Sequence, residues 1–412
     1  RSTLFPYTTL FRSHNAFPAF VGTYVTPAAA RESKPDRLPG NIAAAAELTA
    51  AVLRDGFTDF DRPRFFEPIN EPHWSYWKDP HLAEWHLATR EAVRREAPGV
   101  LVGGPCLSVA YFYRNQYAAF DGLRQFIDRT GGGLDFYSFH CYDFLRDRNG
   151  EFGGRITSGL PLESVLDLVQ SYTVRQLGRE VGLVVSEHGG YGAPELVERL
   201  ARQHFPGEGF AWEMRKRAID DFNMVSSVIA NTLVFMDHPH TVWKAVPFIL
   251  LEATAWDPTY YAVLYVPRDY APKGEWLPTK KILFYRLFRD VRGHRVAASC
   301  PDPDLQVRAF ADDRTLFTIL HNLSEVPKTV ELAGPAPVAS TIRRFGRNPD
   351  ATPYFSEEPF AGSGRWELRP REAVVILASY PRPLAPGRTV DETTFYSRRL
   401  ADRKSTRLNS SH

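Results

Sequence analysis

Residues 65–74 read FFEPINEPHW. Two phenylalanines open an apolar run that predicts a strand, and Pro72 closes it. Glu67 and Glu71 stand four apart in that run, with Asn70 beside the second. A carboxylate in a strand is costly unless it is paired or used. By strand alternation Glu67, Ile69 and Glu71 share one face, and Phe66, Pro68 and Asn70 the other. The two glutamates are then about 13 Å apart at roughly 3.3 Å per residue. Glu71 is expected at the mouth of the sheet, and Glu67 deep inside it, where it calls for a buried cation.

Outward from this stretch, short apolar runs alternate with helical periodicity. AFPAFVGTYV (16–25) predicts a strand, and NIAAAAELTAAVLRDGF predicts an amphipathic helix stopped by Gly56. After FFEPINE, a helix capped by Asp79 with Pro80 at its first position runs through HLAEWHLATREAVRRE. Strands follow at 100–108, 134–142, 182–190 and 243–251, each with a helical pattern after it, including a long one over 211–235. Strands that are apolar along their length belong to a parallel sheet buried on both faces. The repeated strand–helix unit predicts a (β/α)8 barrel. A doubly wound open sheet is the alternative, but no Gly-rich phosphate fingerprint follows any strand, and Gly131–Gly133 precede theirs as a helix stop. From about residue 293 the texture changes to short alternating segments split by Pro, Gly, Asp and Asn, which predicts an antiparallel β-sandwich. It is expected to be a structural appendage, with a sugar-binding module as the alternative.

The ends are read separately. RSTLFPYTTLFRS and DRKSTRLNSSH lack useful periodicity and resemble translated sequencing adapters; two disordered tails are the alternative. The expected organisation is a tail at 1–13, a barrel at 14–292, a sandwich at 293–400 and a tail at 401–412. Only one strand precedes the Asn-Glu strand, so the barrel is expected to lack its first two βα units. Six barrel strands are then expected, with 16–25 and 243–251 at the seam. No signal peptide is visible.

The 412 residues carry a net charge of +2, which makes no electrostatic case for nucleic acid or an anionic membrane. No apolar run is long enough to span a bilayer. Three cysteines, Cys106, Cys141 and Cys300, make no disulfide framework. Gly-x-Ser-x-Gly and His-Glu-x-x-His are absent, which removes common serine-hydrolase and metalloprotease readings. DHPH (237–240) offers no evident third ligand, so no metal is expected.

In a (β/α)8 barrel the C-terminal ends of the strands build the active site. Asn70-Glu71 occupies one such end and Glu187, in VVSEHGG, another. Glycoside hydrolysis needs two carboxyl groups on one cleft, one protonated to donate and one ionised to attack or to activate water. Asn70 is placed to hydrogen-bond a sugar hydroxyl.

The ordered set FFEPINEPHW, VGGPCLS, LDFYSFHCYDF, VVSEHGGYG and WKAVPFIL resembles glycoside hydrolase family 86, the β-agarases and β-porphyranases of clan A. The resemblance covers about residues 16–290 and extends into the sandwich. It implies that Glu71 is the acid/base and Glu187 the nucleophile of a retaining, endo-acting mechanism on agarose or porphyran, with Asn70 on the 2-hydroxyl and no cofactor. It also implies secretion or display at the cell surface. Other clan A activities (β-xylosidase, β-galactosidase) and a silent polysaccharide-binding protein are the alternatives. His140 and Tyr142 close their strand and are expected at the site. Trp243 begins the last strand and is a candidate sugar platform, as are Trp74, Trp77, Tyr113 and Trp256 in loops after strands. His188, beside the expected nucleophile, is a candidate for positioning it.

Overall fold

The computed structural model describes residues 11–12, 23–24, 38–109, 112, 117–148, 151–248, 263–271, 273–361, 364–384 and 396. Strands β1 (Phe11–Arg12), β2 (Thr23–Tyr24), β3 (Leu38–Pro39), β4 (Phe65–Glu67) and β5 (Leu101–Ser108) lead into β6 (Phe136–Arg148), whose extension pairs with β7 (Glu151–Arg155). β8 (Gly182–Gly192) and β9 (Val242–Pro247) complete the sheet. Its order is β1-β4-β5-β6-β8-β9, every pair along that path parallel, with β7 antiparallel to β6. This is a curled parallel sheet with helices, an arc of a barrel.

Six parallel strands are thus found among the described residues, but not with the expected edge. Most of 16–25 lies outside the described residues, and its described part, β2, pairs antiparallel with β3. β1, from the segment expected to be a tail, pairs with Phe66 and Glu67 instead.

Helices α1 (Ile42–Asp55) and α2 (Pro80–Glu96) start where the sequence places caps: Asn41 accepts from the Ala44 N–H at 3.1 Å and Asp79 from that of His81 at 2.9 Å. α3 (Phe120–Thr130) stops at Gly131, whose φ of 54° is left-handed. α4 (Leu160–Leu177), α5 (Pro194–His204) and the 27-residue α6 (Gly209–Phe235) follow. α6 is buried over most of its length because the sheet lies on one side and the sandwich on the other. It shares one core with α7 (Ile282–Phe288), Phe317, Phe345 and Val375.

The sandwich is a six-stranded antiparallel sheet running from His294 to Ser379, backed by the pair Lys328–Glu331 and Arg365–Leu368. Leu305, Leu320, Ile342, Val374 and Leu368 form the core between the two layers.

Candidate active site

Two β-bulges shape the interior. Across β5 and β6 the register jumps from Pro105↔Ser138 to Leu107↔Phe139, leaving Cys106 as an extra residue. Across β6 and β8 it jumps from Phe139↔Val185 to His140↔Glu187, leaving Ser186 extra. A bulge re-aims the side chains beyond it. Val184 packs inside with Phe65 and Phe136. After the Ser186 bulge Glu187 also faces inward, where strict alternation would have turned it out.

The interior rises in layers. Phe65, Phe136 and Val184 form the floor. Above them the Ser186 hydroxyl donates to Glu67 Oε1 at 2.8 Å. The Glu67 charge acts on buried Lys244; burial lowers that lysine to about 8, and Glu67 opposes the drop. The buried cation expected for Glu67 is Lys244.

At the mouth, His140 Nδ1 lies 2.7 Å from Glu71 Oε1 and 3.0 Å from Glu187 Oε2. The Tyr142 hydroxyl donates to the same Glu187 oxygen at 2.7 Å. The ligand atoms of Glu71, His140 and Glu187 all lie within 4.8 Å of one another. Exposure separates the two glutamates: the Glu71 side chain is 46% exposed and that of Glu187 only 7%. Glu71 reaches the cleft through a turn rather than by strand alternation. β4 ends at Glu67, since Pro68 has no N–H for the ladder, and Ile69 joins the core of the helix layer. Glu71 then takes a φ of 43°, a left-handed strain of the kind found at working sites. Asn70 faces the interior as well, its Oδ1 3.7 Å from Cys106 Sγ.

Buried carboxylates anchor the strand tops. Asp143 on β6 accepts from the N–H groups of Thr157 and Ser158 and from the hydroxyls of Ser158 and Ser227. Asp220 on α6 accepts from the Gly192 N–H at the end of β8.

His140, Tyr142, Asn70, Glu71 and Glu187 therefore converge, and other candidates do not. His188 is buried on the opposite face of β8, edge-on to Phe235 at 5.1 Å. Neighbouring strand residues point to opposite sides, so it cannot share the cleft with Glu187. Trp243 covers Gly182 at the start of β8, the end of the barrel away from the carboxylates. Trp243, second in β9, lies near the strand's start and so at that end by the direction of the chain. Trp77 packs on Gly122 and donates its indole N–H to the Pro72 carbonyl, so it holds the loop. Trp74 is 60% exposed beside His73, three residues from Glu71, and is free to serve as a platform. Tyr113 and Trp256 lie outside the described residues.

Sequence reading passed over Cys106, Phe144 and Tyr191. Tyr191 touches the Tyr142 ring at 5.5 Å and the Phe144 ring at 5.4 Å, so these three make an aromatic wall above Glu187. The glycines and proline before Cys106 were the signal for an irregular strand. Among the described residues, two groups could hold a metal ion, Glu71–His140–Glu187 and Glu163–Asp167–His238. In the first, His140 Nδ1 faces two carboxylate oxygens at hydrogen-bond distance, the geometry of a shared proton. In the second, His238 Nε2 is 2.9 Å from Glu163 Oε1, an ordinary ion pair.

Residues 304–401 match the family described as porphyranase beta-sandwich domain 1. A funoran endo-beta-hydrolase of Wenyingzhuangia aestuarii is 26% identical over 366 residues, 82% of this chain and 46% of the relative. A beta-agarase of Pseudoalteromonas atlantica is 27% identical over 64% of this chain and 52% of its own. Beta-porphyranase A of Phocaeicola plebeius is 28% identical over 66% and 38%. The last two relatives carry the activities named for glycoside hydrolase family 86, the family this chain resembles. The chain spans about half the length of the curated relatives it matches, or less. Among solved structures, the family 86 protein BuGH86 bound to neoagarooctaose superposes with a TM-score of 0.70 at 23% identity, over 84% of this chain and 57% of that one. The family 86 β-porphyranase from Bacteroides plebeius gives 0.66 at 23%, over 83% and 60%. These two likenesses establish the fold: a (β/α)8-type barrel arc joined to an antiparallel sandwich.

Proposed function

We propose that this chain carries the catalytic centre of a retaining, endo-acting glycoside hydrolase that cleaves β-linked galactans of red algae, agarose or porphyran. Glu71 is the acid/base and Glu187 the nucleophile. The observation that carries this reading is the placement of both carboxylates against one imidazole, with their oxygens within 4.8 Å. Retaining enzymes hold their carboxyl groups about 5–5.5 Å apart, whereas inverting ones leave roughly 6.5–9.5 Å for a water.

Glu187 accepts bonds from Tyr142 and His140 on one oxygen, which stabilises its anion for attack on the anomeric carbon. Glu71, at the open side, gives its proton to the departing glycosidic oxygen and later takes one from the water that releases the glycosyl-enzyme. Asn70 is assigned the sugar hydroxyl beside the reacting carbon. No cofactor enters this scheme. The substrate class is supported by the names of the three relatives, a funoran hydrolase, an agarase and a porphyranase. Such polymers are met outside the cell, so the acting protein is proposed to be secreted or held at the cell surface. Residues 14–292 are proposed as the catalytic unit and 293–400 as the sandwich unit.

The test is a reducing-end assay on agarose, porphyran and funoran, with oligosaccharide products resolved by size and the anomer of the new end followed by NMR. Short oligosaccharides with retained configuration are expected, and Glu71→Gln and Glu187→Gln should each lose at least about 100-fold in kcat. Monosaccharide from chain ends only, or cleavage of xylan with all three galactans untouched, would assign another activity.

A further inference from the structure

We propose that Cys106 is a positioning residue that fixes the proton arrangement of the carboxylate pair by acting on the far side of His140. The proposal rests on the functional reading above. Cys106 is fully buried, is the extra residue of the β5 bulge, and takes a left-handed φ of 64°. That backbone is strained for any residue with a Cβ. It aims Sγ at His140 Nε2, 2.9 Å away, with Ser186 Oγ at 3.5 Å and Asn70 Oδ1 at 3.7 Å. The Cys106 N–H donates to Ser138 Oγ at 3.2 Å, which pins the bulge to β6. Cys141, equally buried, shows the contrast: it sits in the apolar core of the helix layer, as a cysteine that merely fills space does.

The chemistry follows from the donor inventory. Glu187 Oε2, as an ionised carboxylate, has only lone pairs to offer His140 Nδ1, so Nδ1 carries a proton. In the neutral ring Nε2 then has a lone pair, and the group facing it must donate. The Cys106 S–H, which could also donate to Asn70 Oδ1 at 3.7 Å or Ser186 Oγ at 3.5 Å, is assigned to Nε2, the nearest acceptor at 2.9 Å. The tautomer of a histidine is set by the bond its other nitrogen makes. Cys106 thereby holds the Nδ1–H between the proposed acid and nucleophile. The titratable and charged groups around the ring are Glu71 from the loop after β4, Cys106 from β5, Tyr142 from β6 and Glu187 from β8. One layer deeper are Glu67 of β4 and Lys244 of β9.

The experiment compares the full chain with its Cys106→Ala and Cys106→Ser variants. Long-range 15N–1H spectra of labelled histidine read the His140 tautomer without any need for activity. The wild type is expected to show Nδ1 protonated and Nε2 as an acceptor; Cys106→Ala is expected to mix the tautomers, and Cys106→Ser to restore the wild-type pattern in part. On an agarose or porphyran oligosaccharide, Cys106→Ala should lose on the order of 10- to 100-fold in kcat, with a displaced pH profile and KM within about threefold. An unchanged His140 spectrum in Cys106→Ala overturns the proposal, whatever the activity. If Cys106→Ala does not fold, a wild-type spectrum with Nε2 protonated overturns it equally. Activity that survives Glu71→Gln and Glu187→Gln would instead sink the functional reading and leave the tautomer result standing.

Discussion

Tyr142 and His188 show how one position along a strand decides a role. The Tyr142 hydroxyl has a charged acceptor in Glu187 at 2.7 Å. A hydrogen bond to a charged group contributes about 1.5–3 kcal/mol, so Tyr142→Phe should lower Tm by only about 2–4 °C while kcat, if the bond holds the Glu187 anion for attack, falls by about 10- to 100-fold. Steady-state kinetics beside a thermal melt separate those two outcomes. His188 has the opposite character. Burial, then the nearby charge of Lys281, holds it neutral down to about pH 3, against an ordinary 6.5. The unfolded chain therefore binds a proton on this group between about 6.5 and 3 that the folded chain refuses. The stability it contributes is complete above pH 6.5 and is lost as pH falls through that window. Between pH 7 and 5 this amounts to about 2 kcal/mol from the one group. Denaturant curves at both pH values should show that much less acid loss in His188→Gln than in the wild type, with other groups cancelling in the comparison. Equal losses in the two proteins would contradict the buried, neutral state.

At the scale of elements, the extended β6–β7 hairpin and the end of β8 raise Tyr142, Phe144 and Tyr191 above the carboxylates. On the other side the turn after β4 presents Trp74. Apolar sugar faces stack on such rings. Trp74→Ala should raise KM for a polymeric galactan about 2- to 10-fold and leave stability unchanged, since the side chain is mostly in water. Trp77→Ala, three residues on, should instead cost about 3 kcal/mol of stability through its packing on Gly122 and its lost bond to Pro72. Denaturant melts and substrate titrations on the same pair of variants would show whether the two tryptophans exchange effects.

For the whole molecule, α6 is the seam. One side carries Asn223 and Ser227 toward the ends of β8 and β6, and the other packs Phe222 flat on Phe345 of the sandwich at 5.6 Å. Gln306 and Arg308 of the sandwich donate to the Ala230 and Leu233 carbonyls, and Arg295 and Arg308 both pair with Asp237. A helix buried on both sides couples the two layers. Phe345→Ala, at a fully buried site, should cost about 3–5 kcal/mol and lower the melting of sheet and sandwich together. Two separate transitions in calorimetry, with only one displaced, would show that the layers fold independently.

The sequence by itself determined the order of the parallel strands from β4 to β9, the caps at Asn41 and Asp79, the change to antiparallel texture near residue 293, and the glutamates at two strand ends. Each of these depends on neighbours within a few residues, where apolar periodicity, capping atoms and prolines act directly. It could also say that a glutamate at 67 needs a cation, because desolvation is a property of the group itself. Only the tertiary structure chose Lys244 for that partner, 177 positions away. Only the tertiary structure inserted Cys106 and Ser186 as extra residues, turned Glu187 inward and His188 outward, and placed Trp243 at the far end of the barrel. The contacts that assemble the site join residues 34, 45 and 69 positions apart. Register between strands is a cooperative outcome of packing on both faces, and one inserted residue reverses every side chain beyond it. No local pattern carries that information.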